Sequence, residues 1–434
     1  MTALLYLVGV VLFVVGVAAS IGLHELGHLI PGKLFDVKVT QYFIGFGRTL
    51  WSRRKGETEY GVKAIPLGGY VKLVGMLPPD PDAELGMVRS RNTGMLAQLV
   101  SDARAAEYEH VGPHDHDRLF YTKPWWKRVV IMVCGVAINL VLAFIMLGTV
   151  FMAHGVPTIS TTIASVSQCV KVVSENQAPG PCTANDPETP ASKAGLRPGD
   201  RVVSFNGQDI TDYSQLQDAI RANDAGTATI VVDRAGRQLT LHTNTVVNGL
   251  PSLTDPSQTV QAGFLGISPT IPLVRQGLGY TVREMGVSVW DTVKAIGQMP
   301  DKVYHAGRAA LGLEKRDPNG PMSVVGAGRI AGSVAAAHVS VSDRLFDLLA
   351  LLGSLNLFLG MINLVPLPPF DGGGIATTLY EAARRGIARL LHRPDPGGVD
   401  AAKLLPITYA MAVVLIVVSF VLIVADVVAP IQIT

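Results

Sequence analysis

His24-Glu25-Leu26-Gly27-His28 closes the first long apolar run of the chain, residues 4–23, which contains no Asp, Glu, Lys or Arg. Residues four apart on a helix project from one face, so both imidazoles can grip one metal ion while Glu25 lies beside them. A five-residue match of this kind also arises by chance in ordinary helices. At the end of a charge-free run, where polar groups are costly and usually functional, it reads as a hydrolytic metal site at a membrane boundary.

Working outward, 48% of the 434 residues are hydrophobic, 16% are charged, and the mean hydropathy is +0.34. That composition is a poor match to an average soluble enzyme. Three further runs lack Asp, Glu, Lys and Arg and are long enough to cross a bilayer: residues 129–153, 348–370 and 404–425. The expected fold is therefore a polytopic α-helical membrane protein with four transmembrane helices. The first run lacks the basic start and small-residue cleavage site of a signal peptide and is read as a retained span.

The net charge of +2 says little about partners, and no nucleic-acid partner is expected; the distribution of charge says more. Lys33, Lys38, Lys123, Lys127 and Arg128 lie between the first two spans, and Arg384, Arg385, Arg389, Arg393 and Lys403 between the last two. By the positive-inside rule both connections face the cytoplasm, which places both termini and the long central segment outside. With a rise of about 1.5 Å per residue, the first helix then reaches the inner edge of a ~30 Å core near His24. The third span, running inward from Leu348, reaches similar depth at Asn363-Leu364-Val365-Pro366-Leu367-Pro368-Pro369-Phe370-Asp371-Gly372-Gly373. Because a catalytic zinc usually takes three protein ligands, Asp371 is the candidate third ligand. The competing reading is an Asp-Gly turn that merely ends a helix after prolines.

These motifs, with a PDZ-like central segment, resemble the site-2 protease family of intramembrane zinc metalloproteases, and the single PDZ-like module resembles the actinobacterial members most. The resemblance runs through nearly the whole chain and includes Gly320-Pro321-Met322-Ser323-Val324-Val325-Gly326. It implies a Zn2+ cofactor held by His24, His28 and Asp371, with Glu25 as the catalytic base. Two departures are present: Phe370-Asp371-Gly372 replaces Leu-Asp-Gly, and Gly374 stands where many bacterial members continue with His. Neither removes a proposed ligand.

Other polar residues divide between chemistry and packing. Asn356 and Asn363 lie seven apart on one helical face, where amides often simply join helices. Both are candidates for binding substrate or an oxyanion, and Asn363 fits the family motif better. Asn139 in the second span reads as packing. His110, His114 and His116 lack ligand spacing and read as solvated. Cys169 and Cys182, outside the membrane, have the option of a disulfide, and Cys134 within a span reads as inert. Trp125 and Trp126 beside Lys127 and Arg128 suit an interfacial anchor.

The remaining segments complete a division into 1–30, 37–75, 76–125, 127–154, 157–272, 276–340, 345–371, 372–403 and 404–427. Residues 37–75, with alternating stretches such as Glu59-Tyr60-Gly61-Val62-Lys63-Ala64-Ile65, read as a β-hairpin region. In the resembled family this region is membrane-associated, and an open sheet edge is able to receive an unwound substrate strand; the alternative is an ordinary cytoplasmic hairpin. Residues 76–125 read as a loose connection with one helix near 93–109. Residues 157–272 contain Gly195-Leu196-Arg197-Pro198-Gly199-Asp200 leading into Val202-Val203-Ser204-Phe205-Asn206-Gly207, which resembles a PDZ α+β domain. Whether it binds peptide ends or acts as a steric gate stays open. Within 276–340, residues 278–310 read as an amphipathic helix on the outer membrane face or against the PDZ-like domain. Residues 372–403 read as a cytoplasmic loop.

The expected function is intramembrane cleavage of single-span proteins in the plasma membrane. The resemblance implies anti-sigma factors as the substrate class and a site-1-type protease acting first. The alternatives are clearance of remnant signal peptides and a non-enzymatic metal-binding PDZ scaffold or transporter.

Overall fold

A computed structural model describes residues 2–78, 100, 102–104, 111, 112, 115–171, 182, 183, 186–253 and 258–431. His110, His114 and most of the helix expected near 93–109 lie outside them; residues 100 and 102–104 are helical, and His116 is exposed. The chain forms two compact units, one from Met1–Ala153 with Gly277–Thr434, the other His154–Gln276.

The first unit begins with α1 (Thr2–Leu34), long enough to carry the metal motif well past its apolar stretch. Next come β1 (Val39–Lys55) and β2 (Thr58–Leu73). They do not form a simple hairpin. Tyr42 faces Val71 on one side and Tyr60 on the other, while Arg53 also faces Tyr60. The first half of β1 thus lies between the two halves of β2, and the second half of β1 flanks the sheet. Gly45 and Gly47, both with positive φ, sit where β1 bends to allow this. The second span is α2 (Trp125–Thr149), extended to His154 by a π-helical turn. Trp125 and Trp126 are half exposed at its start, and Lys127 lies over the Trp126 ring.

The second unit holds β3 (Ile163–Val166), β4 (Arg201–Phe205), β5 (Gln208–Asp209), α3 (Tyr213–Ala222), β6 (Thr227–Arg234), β7 (Arg237–Asn244), β8 (Val246–Pro251), β9 (Thr259–Phe264) and β10 (Ile267–Pro269). Its main sheet runs β5-β4-β6-β7, with β3 paired to β10 and β8 to β9. Inward-facing Val202, Phe205, Ala228, Ile230 and Val232 meet Leu216 and Ile220 of α3 in one core. Alternation along β6 puts every second residue there. Cys169 and Cys182 are joined by a disulfide.

The first unit resumes with α4 (Leu278–Gly297) and α5 (Met299–Ala310), where one continuous amphipathic helix was expected; the helix breaks at Gln298, just before Pro300. Met285 and Val289 of α4 pack against Leu147 and Leu357. Part of the apolar face of α4 thus meets the helical bundle, while Val282, Trp290 and Val293 stay exposed. The same 276–340 segment holds α6 (Val324–Ala336), a short apolar helix whose Ala327 and Ala331 join Phe13 and Val17 of α1. Its small residues give little amphipathic contrast, so periodicity alone does not reveal it. The third span is α7 (Val341–Asn363). It ends at Asn363, earlier than expected, because the segment after it holds three prolines. The connection after the third span, expected as a cytoplasmic loop over 372–403, is not merely a loop: α8 (Asp371–Leu390) occupies more than half of it, and α9 (Leu405–Val428) follows. Among the described residues, four helices are long and apolar enough to cross a membrane.

Candidate metal centre

α1 carries His24, Glu25 and His28 within its last three turns, and both histidines are buried. The third member arrives from a distant element. The proline-rich turn after α7 folds back on the start of α8 so tightly that a Cβ at Gly372 would lie 2.3 Å from the Val365 carbonyl oxygen. Only glycine fits there, and the result is that Asp371 opens α8. This excludes the competing view of Asp371 as the end of a helix. A carboxylate at a helix start is also favoured by the helix dipole.

Three atoms able to ligate a metal meet at nearly equal spacing. His24 Nε2 and His28 Nε2 are 3.2 Å apart, and Asp371 Oδ2 lies 3.3 Å from the first and 3.2 Å from the second. Two tetrahedral bonds of about 2.0–2.1 Å set their ligand atoms about 3.3 Å apart, so the triangle has the size of one face of a zinc tetrahedron. Asp371 Oδ2 is buried and has no hydrogen-bond partner, an expensive condition unless a cation sits against it. The two imidazoles and one carboxylate are a donor set suited to zinc. Among the described residues this is the one cluster of three metal-binding side chains.

Glu25 is half buried on the neighbouring helical face. Gly69 of β2 lies against it: a Cβ there would come 3.0 Å from Glu25 Cγ and 2.9 Å from Ile21 Cγ2. The second half of β2 thus runs beside the carboxylate. Tyr42 of β1 fastens the sheet to the same helix by donating to the Gly22 carbonyl oxygen at 2.8 Å.

The two asparagines of α7 are not equivalent. Asn356 is fully buried and donates to Ser20 Oγ at 2.9 Å and to the Leu352 carbonyl oxygen, which joins α7 to α1 one turn before His24. Asn363 is the half-buried last residue of α7, on the approach to Asp371. Asn139, expected to serve packing alone, is 2% exposed with Nδ2 3.2 Å from His24 Nδ1. Asn139 lies two helical turns from Ile131, whose carbonyl faces His28 Nδ1 at 2.8 Å, so only the packing of α2 against α1 brings it to the site. Cys134 is partly buried one residue before Gly135, on the side of α2 that meets Gly27.

Comparison with known proteins places the chain in a class. The model of peptidase family M50 matches residues 12–391. Zinc metalloprotease Rip1 of Mycobacterium tuberculosis is 30% identical over 437 residues, covering 99% of both chains. Rip1 of Mycolicibacterium smegmatis is 32% identical over 443 residues with 98% coverage of each, and metalloprotease MmpA of Caulobacter vibrioides is 28% identical with 86% coverage of each. The chain belongs to peptidase family M50, the site-2 proteases. It is a zinc metalloprotease of the membrane.

Proposed function

We propose that this chain is an intramembrane endopeptidase in which His24, His28 and Asp371 hold the zinc and Glu25 is the general base. The observation that carries the assignment is the 3.2–3.3 Å triangle of two imidazole nitrogens and an otherwise unpartnered carboxylate oxygen. Zinc bound there supplies Lewis acidity that polarises a peptide carbonyl and acidifies water. Glu25 takes a proton from water and delivers it to the departing amine nitrogen. Its half-buried position beside β2 keeps the carboxylate next to the ligands while leaving one side open.

A transmembrane substrate presents carbonyls already engaged in helical hydrogen bonds, so a segment must unwind before attack. The second half of β2, running past Glu25, offers backbone groups to receive such a strand by β-augmentation. Asn363, at the end of α7, is the better candidate for orienting the substrate. Asn356 is committed to Ser20 and Leu352, which favours a packing role. The charge distribution supports an active site near the cytoplasmic face with both termini and unit His154–Gln276 outside the cell membrane. That unit is read as a PDZ-like module that binds chain ends or excludes bulky ectodomains. The substrates are single-span proteins, with anti-sigma factors the favoured class, cut after a site-1-type protease has trimmed them.

The test is Glu25→Gln in reconstituted protein with a model transmembrane substrate. Zinc content stays stoichiometric and cleavage falls about 10²–10⁴-fold or more. Cleavage at the original rate with zinc bound rejects the hydrolytic role of Glu25, and a retained cellular activity without cleavage favours a scaffold instead.

A further inference from the structure

We infer that Asn139 is a positioning residue for the metal centre, its side-chain amide oxygen accepting the Nδ1 proton of His24 so that Nε2 is left free to bind. The inference rests on the metal-ligand reading above and goes beyond it, because Asn139 contributes no ligand and lies on a different span.

Each imidazole has two nitrogens, and a neutral ring that ligates through one carries its proton on the other. In both rings Nε2 points into the triangle with Asp371. The proton therefore belongs on Nδ1 in both. For His28 the structure satisfies this directly, since Nδ1 donates to the Ile131 carbonyl oxygen at 2.8 Å and a carbonyl can only accept. For His24 the group facing Nδ1 is the Asn139 amide, 3.2 Å away. As drawn, its Nδ2 faces the ring and its Oδ1 is buried without a partner. Amide nitrogen and oxygen are assigned from the network around them, and turning this amide by half a rotation sets Oδ1 against the ring while Nδ2 takes the place that Oδ1 held. Oδ1 then gains the ring proton, and the ring no longer meets a donor with a donor.

The same face of α2 serves both rings. Ile131, Gly135 and Asn139 are spaced by four and form one helical stripe. Between the two acceptors, Gly135 provides the room: a Cβ there would lie 2.3 Å from both Cε1 and Nε2 of His28. The second span thus seats one histidine on a backbone carbonyl and the other on a side-chain amide, and only the second seat can be removed by substitution.

The experiment uses the full-length zinc-bound protein in detergent, with 15N-labelled histidine, and assigns the His24 ring by difference against His24→Gln. His24 Nδ1 is expected to be protonated and Nε2 metal-shifted. Zinc affinity, measured by chelator competition, provides the second readout: Asn139→Leu, similar in size but without an acceptor, weakens it about 10–100-fold, whereas Asn139→Asp, which keeps an acceptor, stays within a few fold of the parent. Equal zinc affinity in the leucine variant, or equal losses in both variants, overturns the inference and leaves Asn139 as packing. If Asn139→Leu fails to fold, the His24 Nδ1 proton of the parent protein decides: a downfield, hydrogen-bonded shift supports the inference and the shift of an unbonded N–H overturns it. Zinc on His24 with a bare Nδ1 overturns this inference only; a protein with no zinc at His24 overturns the ligand reading as well.

Discussion

Two aspartates, one in each unit, sit in opposite environments. In His154–Gln276, Asp200 is 1% exposed, and both of its oxygens are satisfied: Arg234 Nε donates to Oδ1 at 2.7 Å, Arg234 Nη2 donates to Oδ2 at 2.8 Å, and the Arg197 amide donates to Oδ2 at 2.9 Å. In the helical unit, Asp371 Oδ2 is buried with two imidazoles beside it and no hydrogen bond. A satisfied carboxylate holds a fold together. An unsatisfied one, placed at nearly equal distances from two imidazole nitrogens, is held by the fold for something else.

The sharpest way to break this contrast is to neutralise both groups. Asp371→Asn removes the charge of the proposed third ligand, so zinc content by atomic absorption falls well below stoichiometric and cleavage drops to background, while thermal stability of the metal-free protein hardly changes. Gly135→Ala acts on the same site from outside it, pushing the His28 ring from its seat. A 10–100-fold loss of zinc affinity is expected, measured by chelator competition.

Arg128 and Glu381 extend the comparison to a buried pair within the helical unit. The two side chains are 8% and 6% exposed with Arg128 Nη2 donating to Glu381 Oε1 at 2.7 Å, which ties α2 to the helix that Asp371 opens. Arg128→Ala leaves the Glu381 carboxylate without its main partner, a change expected to destabilise by about 3–5 kcal/mol in denaturant unfolding. Loss of zinc affinity should accompany it if α8 shifts as a body.

Asp200→Asn carries the smallest effect, about 1–3 kcal/mol, and should leave zinc content unchanged. Its pH signature separates it from the others. Burial pushes the Asp200 carboxyl up, but the Arg234 hydrogen bonds and the Arg197 amide hold it below its ordinary 3.8. A carboxylate depressed in the folded state stabilises fully above its unfolded value and loses that contribution as pH falls through the folded one. Acid unfolding of this unit, followed by circular dichroism, should therefore begin below about pH 4 and flatten in Asp200→Asn.

The same contrast shows why some parts were legible and others not. The charge-free runs and the His-Glu-x-x-His spacing are local, so both the spans and the two-histidine face are written in order along the chain. Asp371 was reachable by counting residues across the bilayer, since helical rise converts sequence distance to depth. Asn139 was not, because which face of α2 meets α1 depends on side chains of both helices. The division of β1 and β2 into four paired segments escaped for a similar reason: alternation marks a strand but not its neighbours. The small-residue helix α6 lacked the contrast that periodicity needs, and periodicity did not show that Met285 and Val289 of α4 meet the bundle.

What the sequence by itself determined is the set of membrane-spanning helices and the two histidines with their glutamate, because a long charge-free run must satisfy its own backbone in lipid and a spacing of four fixes a common face. Only the tertiary structure decided that Asp371 starts a helix and completes the triangle, and that the second span seats both imidazoles. Those facts depend on contacts between residues more than 100 positions apart, such as Ile131 with His28, which nothing in a local pattern specifies.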